Sequence, residues 1–333
     1  MKAIVVLKFS RGFLPLLALA LLMVSCVTQK AELPKLLPVG ETRLAVPGGN
    51  IWYKVSGTGN GIPVVLLHGG PGMSSYYLKP LEDLRDDRQV IRYDQLGGGK
   101  SDKITDTTMF TIEHFVRELD SLRAYLEVDK WHVFGHSWGT ILAMEYYRAH
   151  PERVVSLTFG SPCLDISAYG RHTRELLSTL PKAMQLAVKK AEATGKYDDV
   201  GYQKAIEQFY ALYLYRHPVK EDLDSTFATL NEGIYGYMQG PSEFTITGTL
   251  KNYNSTPFLS QIKVPTLFTV GEFDEVGPEL VKGFATKTPN AQFIQFAGSA
   301  HLTCWDARDE NVKAVREFLR SADSLAAGTT QGR

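Results

Sequence analysis

The stretch Val133–Thr140 reads Val-Phe-Gly-His-Ser-Trp-Gly-Thr and contains Gly-x-Ser-x-Gly. Before it, Trp131 to Phe134 reads as a short buried strand; after it, Thr140 to Arg148 reads as a helix. A strand that turns sharply into a helix around a serine is the context of a nucleophile elbow. In so tight a turn, a side chain at Gly135 or Gly139 would collide with the neighbouring strand or helix. Ser137 is then held in a strained conformation with its hydroxyl exposed. The free N–H groups of the following helix favour negative charge beside it.

The rest of the chain supplies a sheet for that turn. Glu41–Pro47 and Asn50–Ser56 read as two strands around Gly48-Gly49. Val64–Leu67 is a continuous apolar run, the mark of a strand covered on both faces. Gln89–Tyr93 and Arg153–Phe159 read as further strands. Ile112, Phe115, Val116, Leu119, Leu122 and Leu126 share one helical face, with Thr111 placed to cap it. Strands alternating with helices predict an α/β fold with a mostly parallel sheet. The alternation breaks between about Asp165 and Thr249, where helical patterns dominate: one from Pro181 to before Gly195, another from about Tyr202 to Tyr215. The sheet resumes at Val264–Val270 and Gln292–Phe296, and Val312, Val315, Phe318 and Leu319 predict a closing helix.

The start of the chain reads as a targeting segment. Lys2, Lys8 and Arg11 precede an apolar run, Phe13–Val24, too short to span a bilayer as a helix but suited to a signal peptide. It ends Leu22-Met23-Val24-Ser25-Cys26, which is similar to a bacterial lipoprotein signal with Cys26 as the lipidated residue. Met23 departs from the usual Leu of such signals, and an ordinary secretory signal is the alternative. The absence of Asp just after Cys26 suits outer-membrane sorting on the periplasmic side; a soluble periplasmic or secreted protein is the other expectation. The expected organisation is a signal peptide (1–25), a tether (26–40), an α/β core in two pieces (41–164 and 250–320), an inserted helical cap (165–249) and a flexible tail (321–333).

With 36 basic and 36 acidic residues the chain has no net charge. Without its first 25 residues, 33 basic face 36 acidic ones, which is no nucleic-acid footprint. Gly97–Ser101 resembles a phosphate loop, but Asp94 stands where that motif needs its first Gly, which argues against nucleotide binding. Of three cysteines, Cys163 and Cys304 remain after Cys26; a single pair is no disulfide framework, although an oxidising compartment would allow them to pair.

A serine hydroxyl needs a base, and the base an orienting acid. On a sheet carrying such an elbow, acid and then histidine follow the serine. His150 ends the elbow helix, and His172 and His217 fall in the helical insertion. His301, in the loop after the last strand, is therefore the candidate base. In Gly271-Glu272-Phe273-Asp274-Glu275 three carboxylates compete for the acid; Asp274 is the choice, with Glu272 and Glu275 as alternatives. A tetrahedral intermediate needs backbone donors for its oxyanion. Trp138 N–H is one candidate, and Gly70 N–H, with Gly69 as the fallback, is the other. None of this requires a metal or cofactor.

Taken together, His68-Gly69-Gly70-Pro71-Gly72, Asp94-Gln95-Leu96-Gly97-Gly98-Gly99-Lys100-Ser101, Gly135-His136-Ser137-Trp138-Gly139-Thr140, Gly240-Pro241-Ser242-Glu243-Phe244 and Gly271–Glu275, with the segment around His301, resemble the proline iminopeptidase (prolyl aminopeptidase) family of α/β-hydrolase serine peptidases. The resemblance spans roughly residues 45 to 320. It implies an α/β-hydrolase fold and a triad of Ser137, Asp274 and His301. It also implies that Glu243 and Glu275 bind the free amine of a substrate. The implied reaction is release of an N-terminal residue, preferably proline, from short peptides. An amidase acting on amino-acid amides such as prolinamide, or an esterase, would use the same triad. A non-catalytic peptide-binding surface lipoprotein is the alternative from another class. Tyr235, Tyr237, Phe244 and Trp305 are candidates to line a proline pocket.

Overall fold

A computed structural model describes residues 36–217 and 220–330. The expected signal segment, Cys26 and the tether up to residue 35 lie outside the described residues. The end of the expected tether is docked on the sheet: Leu37 is buried and exchanges two hydrogen bonds with the Gln89 side chain, at 2.7 and 2.9 Å.

Eight strands form one sheet: β1 (Gly40–Val46), β2 (Gly49–Ser56), β3 (Gly61–Leu67), β4 (Arg88–Asp94), β5 (Trp131–His136), β6 (Val154–Gly160), β7 (Thr266–Gly271) and β8 (Ala291–Phe296). Their spatial order is β1-β2-β4-β3-β5-β6-β7-β8. The β1–β2 and β2–β4 pairs are antiparallel, and all others are parallel. The apolar run Val64–Leu67 lies in β3, wholly buried between β4 and β5.

Two helices, α1 (Ile112–Tyr125) and α2 (Trp138–Ala149), lie between β4 and β6 in the chain. Thr111 caps α1 by accepting from His114 N–H at 3.2 Å, and Phe115, Val116, Leu119 and Leu122 are buried. Between β6 and β7 come α3 (Ile166–Leu177), α4 (Lys182–Thr194), α5 (Val200–Tyr213), α6 (Lys220–Phe227) and α7 (Glu232–Met238). Of these, only α4 and α5 were singled out by sequence periodicity. Pro181 precedes α4 rather than opening it, and Gly195 ends it in the left-handed region at φ 68°. These helices carry a core of their own, in which Val188, Tyr202, Phe209 and Phe244 pack together.

After β7 come α8 (Pro278–Lys287), a short α9 (Thr303–Asp306) and α10 (Arg308–Thr330). A flexible tail from residue 321 is not what the structure contains, because α10 runs on to Thr330. Asp323 is the anchor. Its carboxylate accepts from buried Arg88 Nη2 at 2.9 Å and lies 3.0 Å from Nε2 of buried His132. A run of small polar residues hides this anchor, since its partners lie over 190 positions away.

Six strands run parallel, so their carboxyl ends and the loops that follow meet along one edge of the sheet. Open parallel sheets bind ligands there. The loops after β3, β5, β6, β7 and β8 bring Gly69–Gly70, Ser137, Ser161, Asp274 and His301 to that edge.

Candidate active site

The turn after β5 has the expected strain. Ser137 sits at φ 55°, ψ −124°, between the strand and α2. A Cβ on Gly135 would stand 2.2 Å from the Gly139 carbonyl oxygen, and one on Gly139 2.2 Å from that of Leu67. Only residues without side chains let β5, α2 and β3 approach so closely. Trp138 opens α2, so its N–H has no carbonyl within the helix to bond and is available beside Ser137. Its indole is held apart from the site by Gln95 Oε1, 2.8 Å away.

His301 Nδ1 lies 2.8 Å from Asp274 Oδ1. The same oxygen accepts from Val276 N–H at 2.9 Å. Both side chains are buried. The Asp274 carboxyl is held below the usual carboxylate range: burial opposes this, but the charge and hydrogen bond of His301 outweigh it. For His301, burial pulls the pKa down, yet Asp274 and Glu275 more than offset it and raise it to about 9. Glu272 is exposed and accepts from Gly298 N–H at 2.8 Å, which takes it out of reach of the histidine. Asp274 is thus the carboxylate on Nδ1, while Glu275 faces the other nitrogen: His301 Nε2 lies 3.7 Å from Glu275 Oε1.

Among the described residues no hydrogen bond joins Ser137 Oγ to His301. The nearest recorded partner of Ser137 Oγ is Cys163 Sγ, at 4.0 Å. Hydrogen bonds of this kind often tighten only around a substrate. Cys163 and Cys304 are both buried and free, so the pairing that an oxidising compartment would allow is not made in the structure. Their surroundings differ: Cys163 neighbours Ser137, whereas Cys304 donates to the Tyr77 carbonyl at 3.2 Å.

Three residues of this site were assigned no role from the sequence, although His136 lies within the Gly-x-Ser-x-Gly stretch. The first two are Tyr77 and His136. Gly69 N–H donates to the Tyr77 hydroxyl at 2.7 Å; that hydroxyl lies 2.9 Å from His136 Nδ1, and His136 Nε2 lies 2.9 Å from the His301 carbonyl oxygen. A carbonyl only accepts, so Nε2 carries the proton, and Nδ1 accepts from Tyr77. Burial and the neighbouring His301 lower the His136 pKa to about 3, which keeps it neutral. The Gly69 N–H is thus engaged by Tyr77. The third residue is Tyr169, from α3. Its hydroxyl lies 2.8 Å from Glu243 Oε2 and 3.1 Å from Glu275 Oε1. Tyr235 donates to Glu243 Oε1 at 2.5 Å.

Beside Ser137 lies a cavity of about 360 Å³, within the usual size for small-molecule sites. Gly70, Ser137, His301, Glu243, Glu275 and Tyr235 all line it. Of the four aromatics expected in a pocket, Tyr235 alone lines this one. Tyr237 is exposed against Phe110, Phe244 is buried within the helical insertion, and Trp305 packs in a separate cluster. The inserted segment also steadies the loop of His301: the His301 and Leu302 N–H groups donate to the carbonyls of Tyr213 and Leu214, at 3.2 and 2.8 Å.

The phosphate-loop lookalike is folded around its own carboxylate. Asp94 Oδ2 accepts from Lys100 N–H at 2.8 Å, and a Cβ on Gly99 would stand 2.1 Å from that oxygen.

Comparison with known proteins agrees with this geometry. Residues 62–308 match the family described by the alpha/beta hydrolase fold. The proline iminopeptidase of Heyndrickxia coagulans is 39% identical over 279 residues, covering 83% of this chain and 97% of the relative. That of Saccharolobus solfataricus is 34% identical over 283 residues, covering 84% and 91%. The chain belongs to the proline iminopeptidase family of α/β hydrolases. The crystal structure of a family member, proline iminopeptidase of Mycobacterium smegmatis, is similar with a TM-score of 0.78 at 28% identity, covering 86% of this chain and 100% of that one. The crystal structure of VinJ gives a TM-score of 0.81, also at 28% identity, with 86% and 99% covered.

Proposed function

We propose that this chain is a serine aminopeptidase that releases an N-terminal residue, preferably proline, from short peptides. The observation that carries the reading is the pair of carboxylates, Glu243 and Glu275, joined by Tyr169 in the cavity that Ser137 and His301 also line. A cationic N-terminus entering a closed pocket loses its water and needs fixed negative charge. A protonated pyrrolidine nitrogen has two N–H donors, one for each carboxylate. An acylated nitrogen has neither the charge nor both donors.

In this reading Ser137 Oγ attacks the carbonyl carbon of the first residue, and His301 Nε2 takes the hydroxyl proton. Asp274 holds the imidazole through Nδ1 and stabilises it once charged. The N–H groups of Gly70 and Trp138 receive the oxyanion. His301 then gives its proton to the departing amine, and water hydrolyses the acyl-enzyme by the reverse route. The helices of 165–249 act as a cap that carries Glu243 over the sheet edge.

Hydrolysis of proline p-nitroanilide beside its N-acetylated form tests the reading. Cleavage of the free-amine compound alone is expected. Equal cleavage of both would move the function to a broader amidase or esterase. Glu243→Gln should harm the free-amine substrate far more than a blocked ester; equal loss on both would remove the amine site.

We also read residues 1–25 as a lipoprotein signal peptide and Cys26 as the lipidated residue that anchors the enzyme to a membrane, on the sequence pattern alone. Among the described residues no helix is long and apolar enough to cross a membrane. Metabolic labelling with a fatty acid should mark the wild-type chain and not Cys26→Ala. Labelling of neither would favour a soluble exported protein.

A further inference from the structure

The hydrogens around Tyr169 do not balance if both carboxylates beside it are ionised. Its hydroxyl has one hydrogen and lies within bonding distance of two carboxylate oxygens, Glu243 Oε2 at 2.8 Å and Glu275 Oε1 at 3.1 Å. The shorter contact assigns that hydrogen to Glu243. Glu243 is also served by Tyr235 O–H at 2.5 Å and by Gln239 Nε2 at 3.4 Å, the environment of an ionised group. Glu275 is placed differently. It is 1% exposed, and its Oε2 is buried without any hydrogen-bond partner. Its Oε1 faces a Tyr169 oxygen whose hydrogen is already used. Two oxygens 3.1 Å apart need a hydrogen between them, and only the Glu275 carboxyl is left to supply it.

We propose that the free enzyme holds one proton on Glu275, shared along Glu275–Tyr169–Glu243, and that a cationic N-terminus entering the cavity expels it to solvent. This rests on the amine-site reading above. The balance is simple. A substrate ammonium and the Glu275 carboxylic acid give an ammonium–carboxylate pair and one free proton; no covalent bond of the substrate changes.

The surroundings agree. From the sheet side Asp274, His301 and Cys163 face Glu275; from the inserted helices come Glu243, Tyr169, Tyr210 and Tyr235. Among the described residues its one ion-pairing partner within 4 Å is His301. Burial first, and then the Glu243 charge, push the Glu275 carboxyl well above its usual range. A neutral Glu275 cannot at the same time hold His301 protonated. The Asp274 contact, a 2.8 Å hydrogen bond, outweighs the 3.7 Å approach of Glu275 as the source of the raised His301 pKa. The proton on Glu275 therefore also spares the base from a second anion until substrate arrives.

Calorimetry with L-prolinamide and the Ser137→Ala protein tests this, because that variant binds without turnover. Titrations at the same near-neutral pH in phosphate and in Tris, which differ in ionisation enthalpy, should give different heats. The difference should correspond to release of about one proton per ligand, and Kd should fall about tenfold per pH unit while the ligand stays cationic. Binding with the same heat in both buffers would overturn the proposal and leave the amine site standing. No binding in either buffer would remove the amine site itself. Adding Glu275→Gln keeps a donor for Tyr169 but no proton to lose. The double variant should bind with buffer-independent heat and a flat pH profile; continued proton release would trace the proton to another group and overturn the assignment.

Discussion

The Tyr77 hydroxyl stands 2.9 Å from His136 Nδ1, and through it the loop after β3 is tied to the residue before Ser137. The chain of bonds continues from His136 Nε2 to the His301 carbonyl, which also accepts from Ser161 Oγ at 3.0 Å. One buried line of hydrogen bonds thus runs from the candidate oxyanion loop, past the candidate nucleophile, to the candidate base. Tyr77→Phe should strand both the Gly69 N–H and the His136 acceptor. An unsatisfied buried group costs about 1–3 kcal/mol. Misplacement of the site should lower kcat about ten- to a hundredfold while KM moves little. Steady-state kinetics and thermal melting check this; unchanged values would show that the line does not hold the site together.

Removing the candidate nucleophile is the simplest test. Ser137→Ala should lower kcat by about 10⁴-fold or more and leave the melting temperature close to wild type. Retained turnover would sink the assignment of Ser137.

Asp274→Asn should lower kcat by about 10⁴-fold, because His301 loses the group that sets its tautomer. It should also change how stability depends on pH. The His301 pKa is raised toward about 9, so its share of stability is full below its ordinary value near 6.5 and is lost as pH rises through the raised value. The Asp274 pKa is lowered, so its share is present above the ordinary carboxylate value and is lost as pH falls through the depressed one. Melting temperatures across this range should show both declines in the wild type and weaker ones in the variant, where other depressed carboxylates such as Glu82 and Asp87 still contribute to the acid decline.

Asp323→Ala should leave Arg88, 1% exposed, without its partner, and His132 without its acceptor. Asp323 is itself 26% exposed, so the loss should be about 2–4 kcal/mol, toward the lower end for a broken buried pair. The kinetic constants of the folded protein should not change, since this cluster involves strands and α10 rather than the cavity. Denaturant unfolding and kinetics together separate the two effects. A chain ending at residue 320 should lose more, because it also removes buried Ala322.

How far the site was legible depends on how each residue is encoded. Ser137 stood out because its turn tolerates only glycine at positions 135 and 139, a demand of local sterics. His301 emerged by elimination along the chain order of a sheet with its elbow. Spacing leaves Asp274, Glu272 and Glu275 in competition, and the family resemblance favours Asp274; Glu243 comes from that resemblance alone. Tyr77, His136 and Tyr169 were not distinguished as parts of the site, because a buried tyrosine or histidine looks the same in sequence whether it fills a core or bridges two loops.

The sequence by itself determined the alternation of strands and helices, the elbow, the glycines that let backbones approach, and the break where the helices are inserted. Each follows from local sterics and from periodic burial within a few residues. Only the tertiary structure decided which carboxylate meets which nitrogen of His301, that the Gly69 N–H is taken by Tyr77, and that Asp323 anchors the last helix. It also brought Tyr169 between Glu243 and Glu275. Those relations join residues up to 235 positions apart. Their energies depend on distance, burial and direction in space, which spacing along a chain does not record.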